Sequence, residues 1–215
     1  MSEKDSKRHP TTAGTGPVRR FIVGIAGATG AIYGIRLLQI LKAAPNVETH
    51  LVFSKAAERT ITFETNMTIK EVTELADACY NNADIGAKTS SGSFQVEGMI
   101  IAPCSMKTLS AVANSLSVDL LSRSADVTLK ERRPLVLMVR ESPLHLGHLR
   151  LMVRAAEIGA TIVPPMPAFY NFPKTLDDMI NHTLGRVLDL FHLDVDIVKR
   201  WEGMKAPAKS GIEKP

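Results

Sequence analysis

Aromatic residues are scarce in this chain: one Trp, three Tyr and seven Phe make up 5% of its 215 residues. Such a supply does not furnish a stacking surface for bases, and no basic helix has aromatics interleaved through it, so nucleic acid is excluded as a partner. The net charge of +4 does not reverse this, because much of the basic excess sits near the two ends, in Lys4, Lys7, Arg8, Arg19, Arg20, Lys205, Lys209 and Lys214. Cysteine is scarcer still. Cys79 and Cys104 make neither a disulfide framework nor a zinc pattern, and a reducing cytoplasm is the expected compartment. No apolar run approaches the roughly 20 residues that a membrane helix requires. The start of the chain lacks the apolar core of a secretory signal, and Glu3 and Asp5 argue against a mitochondrial transit peptide.

What remains is the make-up of an ordinary globular protein, 45% hydrophobic with mixed charge and long enough for one substantial core. Residues 1–19, with Pro10, Gly14, Gly16 and Pro17, read as a disordered polar tail, and residues 204–215 as a polar C-terminal tail. Between them, residues 20–203 read as a single α/β domain. Strands are expected over 20–26, 47–53, 98–103, 134–139 and 160–163. Helices are expected over 31–44, 55–65, 69–80, from 105, and over 119–131, 145–157 and 176–191. This alternation predicts a parallel sheet with helices on both faces, a three-layer Rossmann-like architecture whose ligands bind at the carboxyl ends of the strands.

The most informative stretch is Arg20-Phe-Ile-Val-Gly-Ile-Ala-Gly27-Ala28-Thr29-Gly30, a buried strand entering a glycine-rich turn before a helix. Free backbone amides and the positive end of a helix dipole at one point suit a phosphate. The glycines fall as Gly24-x-x-Gly27-x-x-Gly30, which is not the dinucleotide pattern, and Glu48 lies at the wrong end of its strand to meet a ribose. Ser54, at the right end, suits a phosphate or ribityl chain better. The plainer alternative is a turn that merely packs tightly.

The other strand ends deliver Ser54-Lys55, Pro103-Cys-Ser105-Met106-Lys107-Thr108, Arg140-Glu141-Ser142-Pro143 and Pro164-Pro-Met-Pro-Ala-Phe-Tyr170. Hydroxyls, fixed cations and helix starts on one edge make an anion site, although each residue alone could be a surface or capping group, Ser105 as an N-cap for instance. Cys104 reads as a buried structural cysteine rather than a nucleophile. Ser91-Gly92-Ser93 lacks the nucleophile-elbow pattern of a serine hydrolase. His145 and His148 lie on one helix without a third metal ligand. Lys130, Arg132 and Arg133 end a helix, where positive charge offsets the dipole.

Taken together, Gly27-Ala-Thr-Gly-Ala31, Ser90-Ser-Gly-Ser93, Pro103-Cys-Ser-Met-Lys-Thr108, Ala125-Asp-Val-Thr-Leu-Lys-Glu-Arg132, Arg140-Glu141 and Pro164-Pro-Met-Pro-Ala-Phe-Tyr170 resemble the UbiX family of flavin prenyltransferases, especially its members encoded beside phenolic acid decarboxylases. The resemblance spans residues 20–203. It implies a flavodoxin-like fold and a homo-oligomer, commonly a dodecamer with active sites between subunits. It implies transfer of a dimethylallyl group from dimethylallyl phosphate, or the diphosphate, to N5 and C6 of reduced FMN. The product, prenylated FMN, serves a UbiD-type decarboxylase.

Carried over by motif, Gly27, Ala28, Thr29, Ser54, Ser105, Met106, Lys107, Thr108 and Arg140 would hold FMN. Tyr170 and Arg186 would hold the substrate phosphate with Lys130 and Arg123, and Ser91, Glu64 and Glu141 would lie nearest the chemistry. Arginine and lysine would take the place of a metal, and no run of acidic magnesium ligands is present. Thr29 stands where many relatives have serine, and the flexible loop of residues 81–93 lacks a tryptophan that some relatives carry. Two other readings use the same fold. One is an FMN-binding accessory subunit of a phenolic acid decarboxylase complex, which has no need of four phosphate-binding side chains. The other is a flavoprotein decarboxylase of cysteine-type substrates, which would carry a Pro-x-Met-Asn segment and an early-helix histidine that this chain lacks.

Overall fold

In the computed structural model, which describes residues 16–197, 200 and 203, the expected tails lie outside the described residues except for residues 16–19. The elements run β1 (Arg19–Ile25), α1 (Ala31–Ala43), β2 (Val47–Phe53), α2 (Lys55–Glu64), α3 (Ile69–Thr73), β3 (Ala78–Tyr80), β4 (Gly98–Cys104), α4 (Met106–Ala113), α5 (Leu120–Lys130), β5 (Leu135–Val139), α6 (Leu146–Glu157), β6 (Ala160–Ile162) and α7 (Leu176–Asp189). Arg19, which the sequence placed in the tail, is the first residue of β1, and its amide donates to Asn46 O at 2.8 Å.

All strand pairs are parallel, in the order β3-β2-β1-β4-β5-β6. Without its short edge strand this is the flavodoxin order, and with it the order of doubly wound dinucleotide-binding sheets. In both, the order reverses between β1 and β4, where the loops after the two strands part and leave a crevice.

The helix expected over 69–80 is corrected by this sheet. It stops at Thr73, and Ala78–Tyr80 instead pairs with His50, Leu51 and Val52 of β2. The reason is tertiary: Asp77 Oδ2 accepts from Thr49 N at 2.7 Å and from Thr49 Oγ1 at 3.0 Å, which fastens the segment to β2. A three-residue strand carries no periodicity of its own, so pairing decides it.

Alternate strand residues feed two cores. Phe21, Val23, Ile25, Ile100, Ala102, Val136 and Met138 pack with α1, α2 and α7 on one face. Ile22, Met99, Ile101, Leu135 and Leu137 pack with α4 and α5 on the other. Strand β4 is buried along its whole length, which accounts for its unbroken apolar run. Gly34 lets α1 lie close on β4, since a Cβ there would press on the Ala102 carbonyl and come within 2.8 Å of the Ile25 side chain.

At the carboxyl edge the first residue after each of β1, β2 and β5 is fixed to the end of a neighbouring strand by a main-chain hydrogen bond. Ala26 N donates to Pro103 O, Ser54 N to Ile25 O and Arg140 N to Cys104 O, each at 3.0 Å. Four strands therefore present their ends as one rigid rim. No helix among the described residues is long and apolar enough to cross a membrane.

Candidate functional site

The rim carries Gly27, Ala28 and Thr29 after β1, Ser54 after β2, Ser105 to Thr108 after β4, and Arg140 and Glu141 after β5. Two of its hydroxyls are N-caps. Ser54 Oγ accepts from Ala57 N at 3.2 Å, and Ser105 Oγ accepts from Thr108 N at 3.3 Å. Accepting in this way leaves a serine hydroxyl able to donate outward, so capping and anion binding coexist in one side chain. Thr108 is buried and shares a hydrogen bond with Ser105 Oγ at 3.1 Å, which makes it a support for Ser105. Lys107 and Arg140 are exposed on the rim.

The first turn of α1 is already occupied. Its N-cap, Gly30, has a φ of 97° and no side chain to cap with. Glu64, the last residue of α2, supplies the missing acceptor: its Oε2 takes Gly30 N at 2.8 Å and Ala31 N at 3.1 Å. Burial acts to raise the Glu64 pKa. Hydrogen bonds from the Thr29 hydroxyl and the two amides, with the Arg140 charge, outweigh burial and hold it below its ordinary value. The amides read in sequence as a phosphate cradle are thus held by a carboxylate from the same chain.

Cys104 is fully buried at the end of β4, and desolvation pushes its thiol up to about 12. It is therefore a packing residue, as its apolar context suggested. Among the described residues, no group of three or more His, Cys, Asp or Glu side chains is placed to hold a metal ion. His145 instead caps α6, with Nδ1 accepting from Gly147 N at 3.0 Å.

The remaining candidates lie away from the rim. Lys130 ends α5 just before β5, and Met99 N donates to Pro134 O at 3.0 Å, which puts this junction beside the amino end of β4. Glu141 follows the other end of β5, about 20 Å away by strand rise. Ser91 accompanies Lys130, for the Gly92 backbone abuts the Lys130–Glu131 ion pair, and Ser91 Oγ meets Ser93 Oγ at 2.9 Å. Arg123 projects from α5 and pairs with Asp126 at 2.9 Å. Arg186 belongs to α7, on the opposite face of the sheet, and pairs with Asp189 at 2.6 Å. One protomer therefore gathers the flavin candidates but does not bring Ser91, Lys130 and Arg186 to them.

One residue escaped the sequence reading, and a second was read there only as helix-end charge. His182, buried on α7, has Nε2 3.1 Å from the Tyr170 hydroxyl. Burial, then the nearby Arg186 charge, lowers its pKa and favours the neutral ring. A histidine on the apolar stripe of Ile180, Leu184 and Val187 was the available signal. Arg133 is the second, and it grips the turn that carries Ser91.

The chain is similar to known proteins. Residues 11–172 match the family model described as Flavoprotein. The flavin prenyltransferase UbiX of Escherichia coli K12 is 58% identical over 188 residues, covering 86% of this chain and 100% of that protein. The crystal structure of a dodecameric FMN-dependent UbiX-like decarboxylase from Escherichia coli O157:H7 is similar with a TM-score of 0.84 at 51% identity, covering 86% of this chain and 100% of that one. AnUbiX, solved with FMN and dimethylallyl pyrophosphate, is similar with a TM-score of 0.85 at 50% identity, covering 87% of this chain and 100% of that one.

Proposed function

Because the chain belongs to the flavoprotein family and, within it, to the UbiX flavin prenyltransferases, we propose that it joins a dimethylallyl group from dimethylallyl phosphate or diphosphate to N5 and C6 of reduced FMN. The product would serve a UbiD-type decarboxylase in the cytoplasm. The observation that carries this reading is the rim itself. Two capping serines with hydroxyls able to donate, exposed Arg140 and Lys107, and a glycine turn without side-chain bulk form a donor set that fits a flavin phosphate.

When bound, the reduced flavin supplies the electron-rich N5 and C6 that receive the prenyl carbons. The chain supplies placement and charge. Ser54, Ser105 and Arg140, with the backbone of Gly27 to Thr29 and Met106 to Thr108, fix the acceptor against the rim. As the allylic C–O bond breaks, negative charge grows on the departing phosphate, which Lys130, Arg123 and Arg186 stabilise while the Tyr170 hydroxyl donates to it. A carboxylate, Glu141 or Glu64, would manage the proton exchange at ring closure, in which the prenyl double bond gains a proton and C6 gives one up.

Lys130 and Glu141 flank opposite ends of β5, so the phosphate group and the flavin group come from different subunits of a homo-oligomer, which we take to be a dodecamer like the relative described above. Exposed apolar side chains support such contacts: Phe63, Met166, Phe169, Phe172 and Leu176 are all more than half exposed in the protomer. The test is anaerobic incubation of the protein with FMN, dithionite and dimethylallyl phosphate or diphosphate, followed by mass analysis of the extracted flavin. A flavin heavier by one prenyl unit is expected, and an unchanged mass with both donors overturns the reading.

A further inference from the structure

Arg133 lies just beyond the end of α5, where a cation would ordinarily offset the helix dipole. Its side chain does something else. The helix end is closed by main chain, with Arg132 N donating to Leu129 O and Arg133 N to Thr128 O, each at 2.9 Å. The guanidinium turns away to the loop before β4. Nη1 donates to Phe94 O at 2.8 Å, and Nη2 to Gly92 O at 2.9 Å and Gln95 Oε1 at 3.3 Å. One planar group thus spans two carbonyls of a single turn, a geometry that the point charge of lysine cannot reproduce.

That turn holds Ser91, and its Gly92 backbone lies against Lys130 and Glu131 so closely that a Cβ there would overlap Glu131. The turn is tied at two other points. Ser124 Oγ of α5 donates to Thr89 Oγ1 at 2.9 Å in a buried pair, and the Phe94 ring stands edge-on to His50 with centroids 4.8 Å apart. Neither contact reaches residues 91–93, the part nearest Lys130. Arg133 alone, among the hydrogen bonds of the described residues, joins the α5 end to that part by its side chain.

We infer that Arg133 is a positioning residue for prenyl transfer: it holds the Ser91-Gly92-Ser93 turn in register with Lys130, so that both enter a neighbouring subunit's flavin site as one preformed unit. This rests on the prenyl-transfer reading above. The guanidinium touches neither donor nor flavin, and its effect falls on how well the phosphate-binding side chain and the serine are placed when the C–O bond breaks. Small displacements are enough, since about 1 Å of misplacement costs as much as 100-fold in rate.

The test uses the full-length oligomer carrying Arg133→Met, Arg133→Lys or Arg133→Ala. Amide hydrogen exchange at Ser91 and Phe94, whose amides donate to Lys88 O and Ser91 O in the wild type, is expected to speed up in each variant. The kcat for prenyl transfer is expected to fall roughly 10- to 100-fold while FMN affinity stays within about twofold. Free guanidinium should restore part of the Arg133→Ala rate, and the lysine variant should lie between methionine and wild type. Wild-type exchange at both amides in Arg133→Met overturns the clamp, and faster exchange with wild-type kcat overturns its role in the reaction. If the wild-type protein itself fails to prenylate FMN, the prenyl-transfer reading falls instead, and the exchange measurement still decides the clamp.

Discussion

The carboxylate of Glu64 accepts the backbone amide of Gly30 at 2.8 Å, so the last residue of one helix serves as the N-terminal cap of another. The contact joins residues 34 positions apart and places an acidic group on the turn that the glycine pattern assigned to a phosphate. An anion at this helix start is what the dipole favours, and the chain provides its own. A ligand phosphate on the same rim therefore relies first on Ser54, Ser105 and Arg140.

Replacing Glu64 by Gln keeps the reach but removes the charge. At neutral pH the variant should be less stable by about 1 kcal/mol, the usual worth of a cap with a favourable charge. Its dependence on pH has a definite sign. The folded pKa lies below the ordinary value of 4.5, so the stabilisation is complete above that value and is lost as pH falls through the lowered one. Urea midpoints of wild type and Glu64→Gln should differ at neutral pH and converge in acid. A gap that stays constant down to about pH 3 would show that the charge contributes nothing.

Cys104 should resist alkylation. Its thiol is fully buried and raised to about 12, while Cys79 is exposed. Native protein treated with iodoacetamide at mildly alkaline pH should carry label on Cys79 and none on Cys104. Cys104→Ala should retain prenyl transfer and lose roughly 1–2 kcal/mol of stability from the small cavity. Labelling of Cys104 in the native oligomer, or loss of turnover in a folded Cys104→Ala variant, would refute this placement.

Much of the architecture was legible because its signals are local. The apolar run of β4 announces a strand covered on both faces, and Gly27 and Gly30 mark a strand–helix turn. Strand β3 was not legible, because its three residues are held by Asp77 against Thr49, 28 positions away. The Glu64 cap is equally non-local. The separation of Lys130 from Glu141 was implicit in the sequence, since two residues flanking one strand of a parallel sheet must lie at opposite edges. Which side of the sheet receives Arg186 needed the packing of α7 against α1.

Lys130 is held by its neighbour Glu131, whose carboxyl is lowered by a hydrogen bond from Lys130 and by the charges of Lys130 and Arg133. An incoming phosphate competes with that carboxylate for the ammonium. Exposed ion pairs of this kind are weak, so Glu131→Gln should lower the KM for dimethylallyl phosphate by no more than about fivefold, with kcat little changed. Steady-state kinetics at saturating reduced FMN would check it. A KM that rises would mean that Glu131 orients Lys130 rather than occupying it.

The position of Lys130 and Glu141 at opposite ends of β5 makes a prediction about subunits. If each site takes its flavin rim from one protomer and its lysine from another, two inactive variants should repair one another. Lys130→Met protomers keep an intact Glu141, and Glu141→Gln protomers keep an intact Lys130. In mixed oligomers formed by co-expression at equal levels, a site is complete when its rim comes from a Lys130→Met chain and its lysine from a Glu141→Gln chain. Random assembly makes about one site in four complete, so the mixture should recover about a quarter of wild-type activity while each variant alone stays near background. A site contained within one protomer would yield no complete site in any mixture. Activity of the co-purified mixture no greater than the mean of the two variants would therefore place Lys130 and Glu141 in the same subunit's site, and would require the chain between them to fold back by the length of a strand.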